Sequence, residues 1–268
     1  MTRSLKRDAL WMLAAYTVQL AVPLLVVSFL ARTLGVAGWG RVAAVLSGAG
    51  LLLAIPAFGF NLSAIRTLAQ APDLDARRSV VAGTVAAQAL LTGVALAVGT
   101  LCVFLWTPAR SPLGVAALVY VLGRGVAWSW VFEGLGRFSV AAGLVVLSRA
   151  PVPLLLWLFV AGPAQASRVP LAYAAAALLE TVVGAWVAHR AGVLAWPKRH
   201  DVRMALRDSA PLFPGQLALY AYTAGGPFWL GLVSPVATVG VFAAAEQVVR
   251  AAAGALQAAA RVILPSLS

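Results

Sequence analysis

With 62% of its 268 residues hydrophobic, only 10% charged and a mean hydropathy of +0.92, the chain has more apolar surface than one soluble core can absorb. Its formal charge of +12 would suggest nucleic acid in a soluble protein. Here the arginines sit between or inside apolar runs, which points to membrane orientation and an anionic ligand instead. Cys102 is the only cysteine, excluding an intramolecular disulfide and a thiolate metal cage.

A bilayer-crossing helix needs roughly 20 apolar residues. Asp8 to Arg32 encloses 23 uncharged residues, Arg41 to Arg66 encloses 24, Arg78 to Arg110 encloses 31 and Asp208 to Glu246 encloses 37. The first run is too long for a cleaved signal peptide and reads as a retained span. Breaks at charges, Gly and Pro predict spans near 9–31, 42–65, 80–106, 113–133, 139–161, 169–189, 211–233 and 238–263. The uncharged stretch 209–245 must hold two of them, with a turn at Ser234-Pro235 and a kink at Gly225-Gly226-Pro227. The predicted fold is all-α, a polytopic membrane protein of about eight transmembrane helices.

Orientation follows the positive charge. With a cytoplasmic N-terminus, twelve Lys and Arg residues fall on the cytoplasmic side, against Arg32, Arg41, Arg110 and Arg168 outside. The expected location is the cytoplasmic (inner) membrane.

An offset of 200 residues aligns Arg7-Asp8 with Arg207-Asp208. The same offset places Val36-Ala37-x-x-Gly40-x-x-Ala43-Ala44 on Val236-Ala237-x-x-Gly240-x-x-Ala243-Ala244. Transporters built from two parallel bundles show this kind of repeat. Residues 1–200 would then form a six-helix lobe, and residues 201–268 the end of a linker plus the first two helices of a second lobe, most of which is missing.

Five segments carry a family resemblance: Pro23 through Gly40 (PLLVVSFLARTLGVAGWG), Phe58 through Arg66, Trp130 through Phe138, Ser209-Ala210-Pro211-Leu212-Phe213 and Gly240 through Gln247. Taken in order, they resemble the Wzx-type oligosaccharide flippases of the multidrug/oligosaccharidyl-lipid/polysaccharide exporter superfamily. The resemblance implies two six-helix lobes around a central cavity, alternating access, and movement of an undecaprenyl-linked oligosaccharide (O-antigen, capsule or exopolysaccharide repeat unit) to the outer leaflet. It implies as partners the polyprenyl-diphosphate-linked oligosaccharide, membrane lipid, and polysaccharide polymerase and export machinery. The sequence departs from the family at Gly136, where a glutamate usually precedes the arginine.

Ionisable side chains at bilayer depth are costly and mark functional candidates. At about 100° per residue, Glu246, Arg250, Gln257 and Arg261 form one polar stripe on the last span, readable as a cavity lining for diphosphate or acidic sugar or as an i,i+4 pair with a snorkelling arginine. Tyr120, Arg124 and Trp128 share a face by spacing, as cavity lining or as interfacial anchors. Arg149, just before Pro151 and Pro153, is expected to face the cavity. Glu180 is a candidate for cation coupling or for a structural pair with Arg149 or Arg124. Asn61 with Arg66 reads as a gate or a helix terminus, and Gln19 with Pro23 as a kinked cavity face.

Enzymes acting on prenyl phosphates need carboxylate clusters to hold Mg²⁺, and the eight acidic residues form none on a membrane face. His189 and His200 lack ligand spacing, so neither metal, cofactor nor catalytic residue is expected. Two rival readings stand beside the flippase: a cation-coupled drug exporter of the same superfamily, which the arginines disfavour because a buried cation repels a cationic drug, and a truncated, non-transporting membrane scaffold.

Overall fold

The computed structural model describes the backbone of residues 3–105 and 111–263 and the side chains of residues 10–105 and 111–254. All regular structure among them is helical. In hydrocarbon a helix satisfies every backbone N–H and C=O within its own segment, and the long apolar runs leave the chain no other choice.

Helix α1 (Arg3–Leu52) is interrupted only at Gly35, whose φ of 72° and ψ of 167° reverse the chain. The sequence reading placed a loop across residues 32–41; one left-handed glycine does the work instead, because it lacks the Cβ that forbids this conformation. The two limbs of α1 form the first hairpin. The second limb continues through α2 (Ala54–Ala57) into α3 (Phe60–Gln70) across Phe58 and Gly59, with φ of 41° and 88°. Phe58 is held there by stacking on Phe213, ring centroids 4.7 Å apart.

Helix α4 (Leu74–Leu105) follows, its start capped by Asp73, which accepts the Ala76 N–H at 2.7 Å. The next predicted span is split into α5 (Pro112–Arg124) and α6 (Ser129–Gly134), and the one after into α7 (Phe138–Arg149) and α8 (Pro151–Phe159), where prolines remove backbone donors. Between α6 and α7, Gly136 has a φ of 68°, so the departure from the family pattern supplies the residue best suited to that turn. Helix α9 (Arg168–Arg190) and the surface helix α10 (Arg199–Ser209) complete the first part. A second hairpin comprises α11 (Phe213–Ala224) and α12 (Gly226–Val233), broken at Gly225 as the Gly-Gly-Pro sequence predicts, and α13 (Val236–Ile263).

The hairpins pack antiparallel, limb against limb. Gly48 abuts Phe228 and Gly231 abuts Ala44, while at the other limb Gly254 meets Leu20 and Tyr16. At the tips the contact is reciprocal: an added Cβ on Gly40 would overlap the Val236 carbonyl, and one on Gly240 the Val36 carbonyl. These are the positions that the 200-residue offset brings into register. Missing side chains let the backbones approach this closely, the usual basis of helix association where lipid offers no hydrophobic drive.

Ser47 binds both sides of the break in the seventh span. Its hydroxyl donates to the Ala224 carbonyl and accepts the Phe228 N–H at 3.1 Å. Ser47→Ala strips both partners from a buried helix end and is expected to cost about 1–3 kcal/mol. A lowered thermal unfolding midpoint in detergent would show this; an unchanged midpoint would mean that the break is held elsewhere.

Two large apolar clusters divide the interior. One, around Val26, Leu30, Leu34, Val42, Val152 and Leu156, lies toward the hairpin tips. The other, around Phe60, Leu68, Val81, Trp130 and Phe132, lies toward the face that carries the N-terminus.

Candidate functional site

Between those clusters runs a polar layer. Arg124, the last residue of α5, donates to Glu180 Oε2 on α9 at 3.0 Å; the glutamate side chain is 2% exposed and the arginine 33%. The Trp128 backbone also turns to that carboxylate, and Arg149 lies close by; the nearby Ser148 hydroxyl donates to the Val145 carbonyl at 2.9 Å. One helical turn before Arg124, Tyr120 meets Tyr173 edge to face with ring centroids 5.9 Å apart.

Tyr120 and Arg124 line two neighbouring cavities. The distal cavity, nearer the hairpin tips, measures about 210 Å³ and is bordered by Trp39, Ser47, Tyr120, Tyr173, Glu246 and Arg250. The proximal cavity, about 200 Å³, is bordered by Asn61, Gln88, Arg124, Trp130 and Tyr220. Trp39 Nε1, Trp130 Nε1 and Gln88 Oε1 are buried without a hydrogen-bond partner among the described residues. A buried donor or acceptor left unmade costs about 1–3 kcal/mol, and such groups beside a cavity are suited to a polar ligand.

On α13, Glu246 and Arg250 form the i,i+4 pair at 2.8 Å, and Arg250 also donates to the Thr223 carbonyl at the end of α11. The pair and the cavity lining therefore coexist. The side chains of Gln257 and Arg261 lie outside the described residues. Glu180 takes Arg124 as its partner; Arg149 is exposed at the end of α7, near Glu180 and Tyr173 but in no salt bridge among the described residues.

Three groupings read from spacing require correction. Trp128 does not share a helical face with Tyr120 and Arg124, because α5 ends at Arg124; the indole is buried against Gly184 in the proximal core. Asn61 borders the proximal cavity, whereas Arg66 is exposed in the middle of α3, five residues and about 140° around the helix. The two do not share a helical face: Asn61 is the second residue of α3, at its N-terminal end, and Arg66 lies in the helix interior. Pro23 is accommodated within α1, whose break is at Gly35, and Gln19 faces a third cavity of about 330 Å³ with Tyr16 and Glu133.

Sequence reasoning missed Trp39, Gln88, Trp130, Tyr173 and Tyr220 as cavity residues. The available signal was a polar or aromatic residue within an apolar run, which interfacial anchoring explains equally well.

Membrane-length helices around a polar, charged interior define a multi-pass α-helical membrane protein. The chain belongs to the polysaccharide biosynthesis protein family, whose model matches residues 5–268. It is 24% identical over 270 residues to a protein named "Putative O-antigen transporter" from Escherichia coli (strain K12), covering 99% of this chain and 65% of that protein. A protein of the same name from Shigella dysenteriae is 21% identical over 270 residues, covering 98% of this chain and 67% of the relative. The chain thus spans about two thirds of the length of these relatives, whose names denote transporters rather than enzymes. No solved structure matches it.

Proposed function

We propose that this chain belongs to a flippase that moves an undecaprenyl-diphosphate-linked oligosaccharide across the cytoplasmic membrane by alternating access. The observation that carries the reading is the pair of interior cavities, each with one arginine on its wall and a buried indole N–H without a partner among the described residues. A diphosphate suits guanidinium groups, which bind planar oxyanions bidentately. Sugar rings suit the tryptophan and tyrosine faces, and sugar hydroxyls the unpartnered polar atoms. The arginines disfavour a cationic drug, since like charges repel strongly at low dielectric.

In this reading, residues 1–200 are one lobe and the hairpin within residues 201–268 begins a second. The reciprocal Gly40–Val236 and Gly240–Val36 contacts support that division. The charge distribution supports a cytoplasmic N-terminus, so that the hairpin tips face outward. Alternating access then opens the tips while the opposite ends close.

Transfer of a fluorescent polyprenyl-diphosphate oligosaccharide between leaflets of proteoliposomes, using the full gene product, tests the proposal. Arg250→Ala is expected to reduce transfer at least about tenfold, because it removes a charge-assisted contact of about 1.5–3 kcal/mol, with membrane insertion unchanged. Transport of a cationic dye in place of the lipid would establish the drug-exporter reading, and transport of neither would leave the scaffold.

A further inference from the structure

The segment from the end of α9 through α10 has a chemistry that the transport reading does not use. In α10, Arg199, Arg203 and Arg207 recur every fourth residue, about 40° apart around the helix. All three are exposed, as is Lys198 just before them. Among the described residues none of these four cations is in a salt bridge. The carboxylates on the same helix are turned elsewhere: Asp201 accepts the Ser79 hydroxyl at 2.7 Å, and Asp208 borders a small pocket against α3 and α4.

The opposite face of α10 sets its depth. Val202, Ala205 and Leu206 pack into the proximal core, and Gly83 of α4 approaches so closely that an added Cβ would lie 2.6 Å from the Asp201 carbonyl oxygen. Gly83 is only five residues past Arg78, where the long uncharged run of α4 begins. The helix is therefore held at the level where hydrocarbon gives way to headgroups. Beside it, Trp196 is 93% exposed, and Trp186 is 57% exposed with the Arg190 guanidinium 5.0 Å from its ring centroid. Exposed tryptophans at that level are interfacial anchors, and a cationic stripe beside them complements phosphate-bearing headgroups.

We propose that Lys198, Arg199, Arg203 and Arg207, with Trp196, form a docking surface for anionic phospholipid headgroups of the leaflet that meets this face. Each guanidinium offers paired donors to a phosphodiester, and the shared stripe lets neighbouring lipids or a two-phosphate headgroup span several arginines. The surface lies on the connection from α9 to the second hairpin, so lipid bound there would steady the position of that hairpin against the helices that precede it. The proposal stands on geometry independent of the cavities, and its test does not require transport.

Full gene product released from nanodiscs containing equal phosphatidylglycerol and phosphatidylcholine is analysed by native mass spectrometry for retained lipid. Wild type is expected to retain phosphatidylglycerol preferentially. The Arg199→Gln/Arg203→Gln/Arg207→Gln variant should lose that preference by about tenfold or more, given the contribution of each basic residue near an anionic surface, whereas the corresponding lysine triple keeps it. A control variant, Arg66→Gln/Arg77→Gln/Arg137→Gln, removes the same charge elsewhere and should leave the preference in place. The substitutions lie on an exposed face, and an unchanged unfolding midpoint in detergent verifies folding. Equal retention of both lipids by wild type, or undiminished preference in the glutamine triple, overturns the proposal. The latter result would leave the stripe to an acidic protein partner.

Discussion

Replacing Arg124 with alanine is expected to destabilise the protein and abolish transport, and a second substitution separates the two effects. Glu180 is almost fully enclosed and relies on the 3.0 Å bond from Arg124. Removing the cation strands a buried carboxylate, a loss of about 3–5 kcal/mol where no water replaces the partner. Adding Glu180→Gln to Arg124→Ala removes the stranded charge and should recover most of the unfolding midpoint, because a neutral amide oxygen can still accept the Trp128 N–H. Transport should stay lost, since the cation facing the proximal cavity is still missing. Arg124→Lys preserves charge but not the fork, and is expected to fall between. Leaflet transfer at the wild-type rate in the stable double variant would remove Arg124 from the substrate path. Glu180→Gln alone tests coupling: dependence of transport on the pH gradient should disappear, and persistence of that dependence would assign Glu180 a purely structural role.

The second large effect is expected at the crossing of the hairpin tips. Gly40→Val and Gly240→Val each drive a branched side chain into an opposing backbone carbonyl, which cannot rotate away as a flexible side chain could. Overpacking of this kind costs about 1–3 kcal/mol and more where backbone must move. Each variant should lose leaflet transfer while remaining in the membrane, and a cysteine placed at Val36 should become more reactive toward an impermeant thiol reagent as the tips separate. The double variant should cost less than the sum of the singles, because either one alone already opens the shared contact. Additive losses, or full transport by Gly240→Val, would show that the tips do not act as one closure.

Much of this architecture was legible beforehand for a simple reason. Uncharged runs of 23 to 37 residues specify crossings almost by length alone, and Gly225-Gly226-Pro227 announces its own break. The Glu246–Arg250 pair was readable because its partners lie one turn apart on one helix. The pairing of Arg124 with Glu180 was not, since 56 residues separate them and Arg149 was an equal candidate. Trp128 misled because helical spacing was extended past the helix end at Arg124, although Gly125 stands directly after it as the C-cap residue.

What the sequence by itself determined is the medium and the parts: apolar runs, the positions of the charges between them, the glycines that turn the chain, and a short repeat at an offset of 200. These are local or periodic properties, set by the need to satisfy backbone groups in lipid and to keep cations at its edges. Tertiary structure alone decided which buried charges meet, how the repeat's glycines come face to face, and which indoles border the two cavities. Those outcomes depend on helix rotation and on approach between segments far apart in the chain, and in a bilayer such choices are made by packing complementarity rather than by any pattern within one helix.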